Sequence, residues 1–384
     1  MERRKRKTIR NIQFSYKTLI MKIILVVGAR PNFMKIAPII REFKRINFKD
    51  FLLVHTEQHY DYEMSKVFFD ELELPVPDYF LNTGSGTHAE QTAKVMVEFE
   101  KVCFAEKPDI VIVVGDVNST LACSIVSKKL DIKLAHVEAG LRSNDMTMPE
   151  EVNRILTDAV SDFLFVSEES GLKNLKNEGK KDEQIFFVGN VMIDNLYYYI
   201  NKMNTTKNES DTASLKEKYG VVTLHRPSNI DIKSTYQGII EALIEISRDM
   251  PLVFPIHPRS RKNMESFGLL ELVNSSNIKL QPPLSYIEFL ELWKDANIVF
   301  TDSGGIQEET TALGVPCFTL RKNTERPITV DEGTNTLVGN TKETIIDAYS
   351  HFIMGKSKQG RIPELWDGKS AKRIVDVLLK QSLA

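Results

Sequence analysis

Residues 298–309 read IVFTDSGGIQEE and decide the fold. An apolar run rich in β-branched residues ends at Thr301, and a helical pattern begins within a few residues, beyond Gly304 and Gly305. A strand that leads through a glycine turn into a helix leaves unpaired backbone N–H groups beside the positive end of the helix dipole. Ser303, Gly304 and Gly305 are therefore predicted to form an anion site suited to phosphate.

Two charged residues that follow this turn make the prediction more specific. Glu309 lies about one helical turn onward, where a carboxylate can accept hydrogen bonds from ribose hydroxyls. Arg326, beyond a second apolar run at Val315–Leu320, can bind phosphate or a buried carboxylate through its forked guanidinium. A tight turn whose glycines only allow helix–sheet packing is the alternative. Together with Glu309 and Arg326, the turn favours a nucleoside diphosphate site.

Apolar strands alternate with helical stretches from Met21 onward. The first series predicts strands at Ile23–Val27, Phe51–His55, Ile110–Val114, Lys133–Val137, Phe163–Val166 and Ile185–Val188, with helices at Lys35–Lys44, Glu63–Glu71, His88–Glu100, Thr120–Lys129 and Glu150–Val160. After a polar segment at residues 201–211, a second series predicts strands at Val221–Leu224, Leu252–Ile256, Ile278–Leu280, Ile298–Thr301 and Val315–Leu320. This rhythm indicates an α/β chain with two Rossmann-like halves and a ligand cleft between them.

The composition is that of an ordinary globular protein. The 384 residues are 42% hydrophobic and 27% charged, with a formal net charge of -2. Residues 1–20 are strongly basic and are expected to be a disordered extension, with Met21 as the functional start. The remainder is acidic and is not built to follow a nucleic-acid backbone.

The chain is expected to act in the cytoplasm. It has no run of about 18 apolar residues that could span a membrane. Its three cysteines, Cys103, Cys123 and Cys317, lie far apart among apolar residues, which favours reduced thiols in a protein core.

Charged residues follow the strands of the first half, at the edge where α/β sheets bind ligands. Arg30 and Lys35 come after a glycine turn at a helix start, which favours an anionic ligand. Asp116 caps the next helix or acts in catalysis, and these two interpretations stand about equal. Glu138 directly follows an apolar strand, where burial is costly without a partner or a task. Glu151 suits the first turn of a helix, so local helix chemistry can explain it. Only the presence of Asp116 and Glu138 nearby favours a catalytic role for Glu151.

The second half contributes further candidates. His225 ends its first strand facing the predicted cleft, where a phosphate or a proton-transfer partner would be placed. Leu284 and Phe289 could offer a backbone edge and an aromatic face to a nucleobase, although a helix start with core positions is the favoured interpretation. No Walker loop, metal-ligand spacing or nucleophile elbow occurs in the sequence.

Taken together, these motifs resemble the non-hydrolysing UDP-N-acetylglucosamine 2-epimerases. The matching segments are Gly28-Ala29-Arg30-Pro31 with Lys35, Gly115-Asp116, residues 136–142 (HVEAGLR), residues 149–154 (PEEVNR), residues 223–226 (TLHR), residues 302–309 (DSGGIQEE) and residues 324–327 (TERP). The resemblance implies a GT-B fold in which a C-terminal helix, here Leu365 to Leu383, crosses back to the first domain. It places the domains at residues 21–191 with 365–384, and at residues 192–364.

The resemblance also implies a reaction. UDP-N-acetylglucosamine and UDP-N-acetylmannosamine would be interconverted through 2-acetamidoglucal, with neither a metal nor a nicotinamide cofactor. The resemblance implies that the acid/base groups are Asp116, Glu138 and Glu151. The departing UDP would be stabilised by His225, Arg30, Arg326 and residues 303–305, and the substrate would also be bound by Lys35 and Arg142. Glu309 would bind the ribose, and Leu284 with Phe289 would bind uracil. Which carboxylate acts on which face of C2 stays open.

Two rival functions remain. One is the same chemistry on another UDP-sugar, such as UDP-2,3-diacetamido-glucuronate, because residues 84–88 and 90–92 resemble that subgroup as well. The other is a GT-B glycosyltransferase, which would need an acceptor. A UDP-sugar-binding protein without catalysis would leave three cleft carboxylates unexplained.

Two expectations concern assembly and regulation. We expect a homodimer that binds neither nucleic acid nor membrane. Regulated family members use a Gln-His pair, a second Gln and an Arg to bind an activating second substrate molecule. Here Gln58-His59 matches the pair, Asp61 replaces the second Gln, and no arginine follows Asn82 nearby. Activation by substrate is therefore not expected.

Overall fold

The computed structural model describes residues 21–56, 69–206, 218–356 and 358–381. Its first half is a seven-stranded, wholly parallel sheet in the order β3-β2-β1-β4-β5-β6-β7. The strands are β1 Ile23–Val27, β2 Phe51–His55, β3 Tyr79–Phe80, β4 Ile110–Val114, β5 Lys133–Ala139, β6 Phe163–Val166 and β7 Ile185–Phe187. The predicted doubly wound sheet is confirmed.

The second half repeats this architecture with six parallel strands in the order β10-β9-β8-β11-β12-β13. These strands are β8 Gly220–Thr223, β9 Leu252–Pro255, β10 Ile278–Gln281, β11 Ile298–Thr301, β12 Cys317–Thr319 and β13 Asn335–Leu337. In both sheets the chain order reverses between two central neighbours, β1 and β4 in the first and β8 and β11 in the second. Such switch points create the crevice in which α/β sheets bind ligands.

Helices cover both faces of the two sheets. In the first half they are α1 Arg30–Arg45, α2 His88–Glu106, α3 Asn118–Lys129, α4 Pro149–Val160, α5 Glu169–Asn177 and α6 Val191–Thr206. In the second they are α7 Pro227–Ile230, α8 Lys233–Ile246, α9 Pro258–Ser266, α10 Leu270–Asn274, α11 Tyr286–Trp293, α12 Gly304–Leu313, α13 Pro327–Asp331 and α14 Lys342–Ile353, followed by α15 Ser370–Gln381. Most of the predicted helix Glu63–Glu71 and part of the polar segment 201–211 lie outside the described residues.

One apolar core joins the two halves. It includes Ile193 and Tyr199 of α6, Trp293 of α11 and Ile306 of α12. Because α6 packs against both α1 and α12, the two halves share buried apolar surface.

The chain returns to the first half at its C-terminal end. Helix α15 packs against α1 and α6, and the indole Nε1 of Trp366 donates to the carbonyl of Ser167 over 3.0 Å. The carboxylate of Asp194 accepts from the backbone N–H groups of Ser370 (3.0 Å) and Ala371 (2.7 Å), two of the unpaired donors at the start of α15. No helix among the described residues is long and apolar enough to cross a membrane.

Candidate active site

Glu138 occupies a distorted end of strand β5. The register of β5 against β6 shifts between Val137 and Ala139, and Glu138 has a φ of 75°. A non-glycine residue in this left-handed region costs about 1–3 kcal/mol and is typical of functional sites. The predicted strand ended at Val137, and the structure extends it to Ala139 across this irregularity.

Two buried cations contact the Glu138 carboxylate. The Nζ atom of Lys35 forms an ion pair with Oε2, and Nη2 of Arg326 lies 2.6 Å from Oε1. Burial alone would raise the pKa of Glu138, but Lys35 and Arg326 outweigh it and hold the pKa well below its usual range. The carboxylate is therefore ionised, as a general base requires.

Arg326 also contacts α12, the helix whose N-terminus forms the predicted phosphate site. Its Nε atom lies 2.7 Å from Oε1 of Glu308 in α12, and the Asn190 side chain donates to the same oxygen over 2.9 Å. Burial raises the pKa of Glu308 to about 7, and burial likewise raises that of the neighbouring Glu168 to about 7. Glu138, Glu308 and Glu168 all interact with the one Arg326 guanidinium, so they cannot all ionise easily together.

A second arginine joins the other two predicted carboxylates. Nη2 and Nε of Arg154 lie 2.7 and 3.0 Å from Oδ2 of Asp116, and Nη1 lies 2.5 Å from Oε2 of Glu151. Burial favours the neutral form of Glu151, but the backbone N–H groups of Ser143 and Asn144, each 2.9 Å away, lower its pKa overall. The sequence motif at residues 149–154 did not predict a role for Arg154, and its guanidinium lies between two candidate acid/base groups.

His225 is oriented by a buried aspartate. Its Nδ1 lies 3.0 Å from Oδ1 of Asp302, the first residue after β11. Asp302 also accepts from the backbone N–H groups of His225 (3.1 Å) and Arg226 (3.0 Å). Its own burial opposes ionisation, but the His225 hydrogen bond and these amides lower its pKa. The His225 ring is 48% exposed, so Nε2 is the nitrogen that can face a ligand.

The start of α12 forms the predicted glycine turn. A Cβ atom at Gly304 would lie 3.0 Å from Oε1 of Glu325, so a side chain here would crowd the loop that carries Arg326. The backbone N–H of Ser303 donates to Oγ1 of Thr301 over 3.0 Å. No side chain caps α12, and no acidic residue occupies its first turn, which leaves its N-terminus suited to an anion.

Glu309 lies deeper in the same helix, under the start of α11. The Tyr286 hydroxyl donates to its Oε1 over 2.7 Å. Burial raises the pKa of Glu309 to about 8 despite this bond. Phe289 is half-buried on α11 against the shared core, and Leu284 is half-buried just before that helix.

The remaining predicted site residues either lie away from the Glu138 cluster or fall outside the described residues. Arg142 pairs with Asp158 (2.8 Å) and with Glu178 (2.7 Å) rather than with the Glu138 cluster. Arg30 begins α1, but its side chain is outside the described part of the structure. Residues 57–68, which include Gln58, His59 and Asp61, are outside it as well.

The family described as UDP-N-acetylglucosamine 2-epimerase matches residues 41–379. The chain belongs to this family.

Its relatives within the family are similar along almost their whole length. A Methanocaldococcus jannaschii protein named UDP-N-acetylglucosamine 2-epimerase is 45% identical over 93% of this chain and 99% of its own. A Pseudomonas aeruginosa UDP-2,3-diacetamido-2,3-dideoxy-D-glucuronate 2-epimerase is 38% identical over 94% of this chain and 100% of its own. The structure of the M. jannaschii UDP-GlcNAc 2-epimerase with UDP-GlcNAc and UDP superposes with a TM-score of 0.82, at 46% identity over 94% of this chain and 100% of that one.

The predicted GT-B fold is therefore confirmed for this 2-epimerase family member, and so is the predicted resemblance. The geometry adds three residues to the candidate site: Arg154, Asp302 and Glu308. Each of them holds a predicted residue in place through a buried ion pair or hydrogen bond. Among the described residues, no group of three or more His, Cys, Asp or Glu side chains is placed to hold a metal ion.

Proposed function

We propose that this chain interconverts UDP-N-acetylglucosamine and UDP-N-acetylmannosamine by inverting the configuration at C2. The observation that carries the proposal is the position of Glu138. Its carboxylate is held between Lys35 and Arg326, and Arg326 contacts α12, whose N-terminus suits a diphosphate. The names of the M. jannaschii relative and of its complex with UDP-GlcNAc and UDP support the same substrate.

The reaction is an elimination followed by an addition. A carboxylate takes the C2 proton, the C–H electron pair forms the C1–C2 double bond, and the C1–O bond breaks with its pair leaving on UDP. Negative charge grows on the departing diphosphate, where Arg326, His225 and the α12 amides at residues 303–305 stabilise it. UDP then adds back to C1 of 2-acetamidoglucal while C2 receives a proton on its opposite face.

The proton transfers are assigned to three carboxyl groups. Glu138 and Glu151 have lowered pKa values, so each is ready to accept a proton. Asp116 shares Arg154 with Glu151, which places both groups on one guanidinium. Removal and return of a proton on opposite faces need more than one such group.

The nucleoside is assigned to the second half. Glu309, paired with Tyr286, would bind the ribose hydroxyls, and its raised pKa gives a carboxyl that can donate as well as accept. Leu284 and Phe289 would hold uracil, while Arg30 and Lys35 would face the anionic substrate from the first half.

Heavy water tests the proposal directly. UDP-N-acetylglucosamine incubated with the protein in heavy water should give UDP-N-acetylmannosamine with deuterium at C2, as measured by NMR. Epimerised product with only protium at C2 would contradict solvent-exchanging carboxylates and favour a shielded proton or an oxidative route.

A related UDP-sugar is the second candidate substrate, because the P. aeruginosa relative is named for UDP-2,3-diacetamido-2,3-dideoxy-D-glucuronate. Parallel assays with both sugar nucleotides, read out by product analysis, separate the two. A glycosyltransferase would need an acceptor, so turnover of the UDP-sugar without any acceptor argues for the epimerase.

We also propose that the chain forms a homodimer through α2 and α4. Large apolar side chains are exposed on both helices: Val97 (56%), Phe104 (62%) and Leu156 (45%). An open cavity of about 510 Å³ between the helices is lined by Met96 and Val152, among others. Apolar patches of this kind are typical of protein interfaces. Analytical ultracentrifugation should show a dimer, and Phe104→Asp should shift it to monomer.

We place the reaction in the cytoplasm. Cys103, Cys123 and Cys317 are buried and unpaired, as is usual where thiols stay reduced. Fractionation of cells that produce the protein, followed by immunoblotting, tests this placement.

A further inference from the structure

An open cavity beside the second sheet is separate from the nucleoside site. Its volume is about 1000 Å³, and its walls come from the loops that follow β8, β12 and β13 and from the starts of α8 and α14. Asp145 and Met148, which precede α4 of the first half, complete the walls. Helices α8 and α14 cover one face of the second sheet, in the core of that half. Glu309 and Tyr286 belong to α12 and α11, which contribute to the core shared with the first half. Its lining does not include His225, Glu309 or Arg326, which were assigned to UDP, so the cavity is not part of the assigned UDP site.

A buried arginine with an unused donor lines this cavity. Arg321 is 7% exposed, and its Nη2 donates to Glu325 over 2.7 Å. Its Nη1 atom is buried and has no hydrogen-bond partner. A buried guanidinium donor without an acceptor is costly, so the position favours an oxygen-bearing anion from the cavity.

Further positive charge converges on the same space. Arg226 shares Glu325 at 3.3 Å, and Lys322 and Lys342 also line the cavity. One carboxylate, Glu325, therefore serves two arginines. Lys342 is partly neutralised by Glu241, 3.3 Å away.

Helix α8 adds backbone donors. It runs for 14 residues, its N-cap Ile232 offers no side-chain acceptor, and its first turn contains no acidic residue. Ser234 and Thr235 of that turn line the cavity. Free backbone N–H groups and side-chain hydroxyls at a helix N-terminus are the donors that bind phosphate.

The acidic residues of the cavity limit the charge of its ligand. Glu241 is engaged by Lys342, while Asp145 and Glu343 also line the walls. Because these carboxylates repel negative charge, the cavity favours a ligand with a single phosphate group over a longer polyphosphate.

We propose that this cavity binds a small molecule bearing one phosphate group, at a site distinct from that of UDP. Its phosphate would accept from Nη1 of Arg321, from the Lys322 ammonium and from the first turn of α8. Arg226 connects the cavity with the catalytic side, because its Nε donates to the carbonyl of Asp302 over 3.0 Å.

Inorganic phosphate is the probe for this site. Isothermal titration calorimetry would be done on the full chain presaturated with UDP, so that the UDP site is blocked, at constant ionic strength set with chloride. We expect saturable binding of one phosphate per chain. Lys322→Ala should weaken it about threefold, and Ser234→Glu, which places a carboxylate at the α8 start, about tenfold or more.

The control is Ser266→Glu, which makes the same charge change on α9, outside the cavity. It should bind phosphate like the unmodified chain. Absence of saturable binding, or an equal dissociation constant in all variants, would overturn the proposal. Epimerase turnover without phosphate should be unchanged in Ser234→Glu, so failure here is distinguishable from failure of the proposed function.

Discussion

The Nη2 atom of Arg326 lies 2.6 Å from Oε1 of Glu138, and this contact joins the loop after β12 to the end of β5 across the cleft. Both side chains are buried. In the proposed reaction, the proton acceptor and a cation for the leaving diphosphate are therefore parts of one ion pair. When the substrate phosphate binds Arg326, the guanidinium stabilises the ionised form of Glu138 less strongly. The pKa of Glu138, and with it its strength as a base, should therefore rise.

The first prediction concerns this pair. Glu138→Gln keeps the shape of the side chain but removes the base, and we expect turnover to fall about 10²-fold or more. Arg326→Lys keeps one charge but cannot contact Glu138 and Glu308 together, so it should raise KM and lower kcat. Steady-state kinetics on folded variants, checked by circular dichroism, measure both effects. Near-normal turnover of Glu138→Gln would return Glu138 to a structural role.

The second prediction concerns Arg154. Its guanidinium binds both Asp116 and Glu151, so Arg154→Lys should misplace both carboxylates and lower kcat by about 10-fold or more, with little change in UDP affinity. Asp116→Asn and Glu151→Gln should each lower kcat by about 10²-fold. If the arginine acts through these groups, its substitution should cost much less in the Asp116→Asn background than in the unmodified chain. Additive losses would contradict this.

The third prediction separates His225 from its support. His225→Ala removes a donor to the departing diphosphate and should lower turnover. Asp302→Asn leaves the ring but removes the carboxylate that lies 3.0 Å from its Nδ1, so the ring should be less well oriented and kcat should fall with little change in KM. Steady-state kinetics measure both losses, and an unchanged kcat in Asp302→Asn would contradict orientation of His225 by Asp302.

Part of this site followed from the sequence because its signals are local. The run at 298–309 predicted a strand, a glycine turn and a helix, and the structure has β11 at Ile298–Thr301 and α12 from Gly304. Strand ends likewise located Asp116, Glu138 and His225, since parallel strands bring their carboxyl ends to one edge.

The supporting contacts could not be predicted in the same way. Asn190 reaches Glu308 across 118 positions of sequence, and Arg154 reaches Asp116 across 38. The position of Arg142 in the sequence did not predict the partners of its side chain either. It follows Gly140, which has a φ of 82°, and its guanidinium pairs with Asp158 and Glu178 instead of with the nearby Glu138. The sequence motif identifies the residues next to Arg142 in the chain, but it does not show where the Arg142 side chain points.

The last prediction concerns Glu309 and pH. Burial raises its pKa to about 8 in the folded protein, from about 4.3 in an unfolded chain. The folded state thus binds this proton more tightly, so its contribution to stability is complete below the unfolded pKa and is lost as pH rises toward 8. Glu308, Glu168 and Asp194 have raised pKa values too and act in the same direction.

Urea unfolding at pH 5 and pH 8 tests this sign. The free energy of unfolding of the unmodified chain should decrease between the two values, and Glu309→Gln, which has no proton to lose, should show a smaller decrease. Tyr286→Phe is the matched control, because it removes the hydroxyl that stabilises the ionised form at 2.7 Å and should steepen the decrease. An equal pH dependence in all three proteins would show that Glu309 ionises in the folded state as readily as in water.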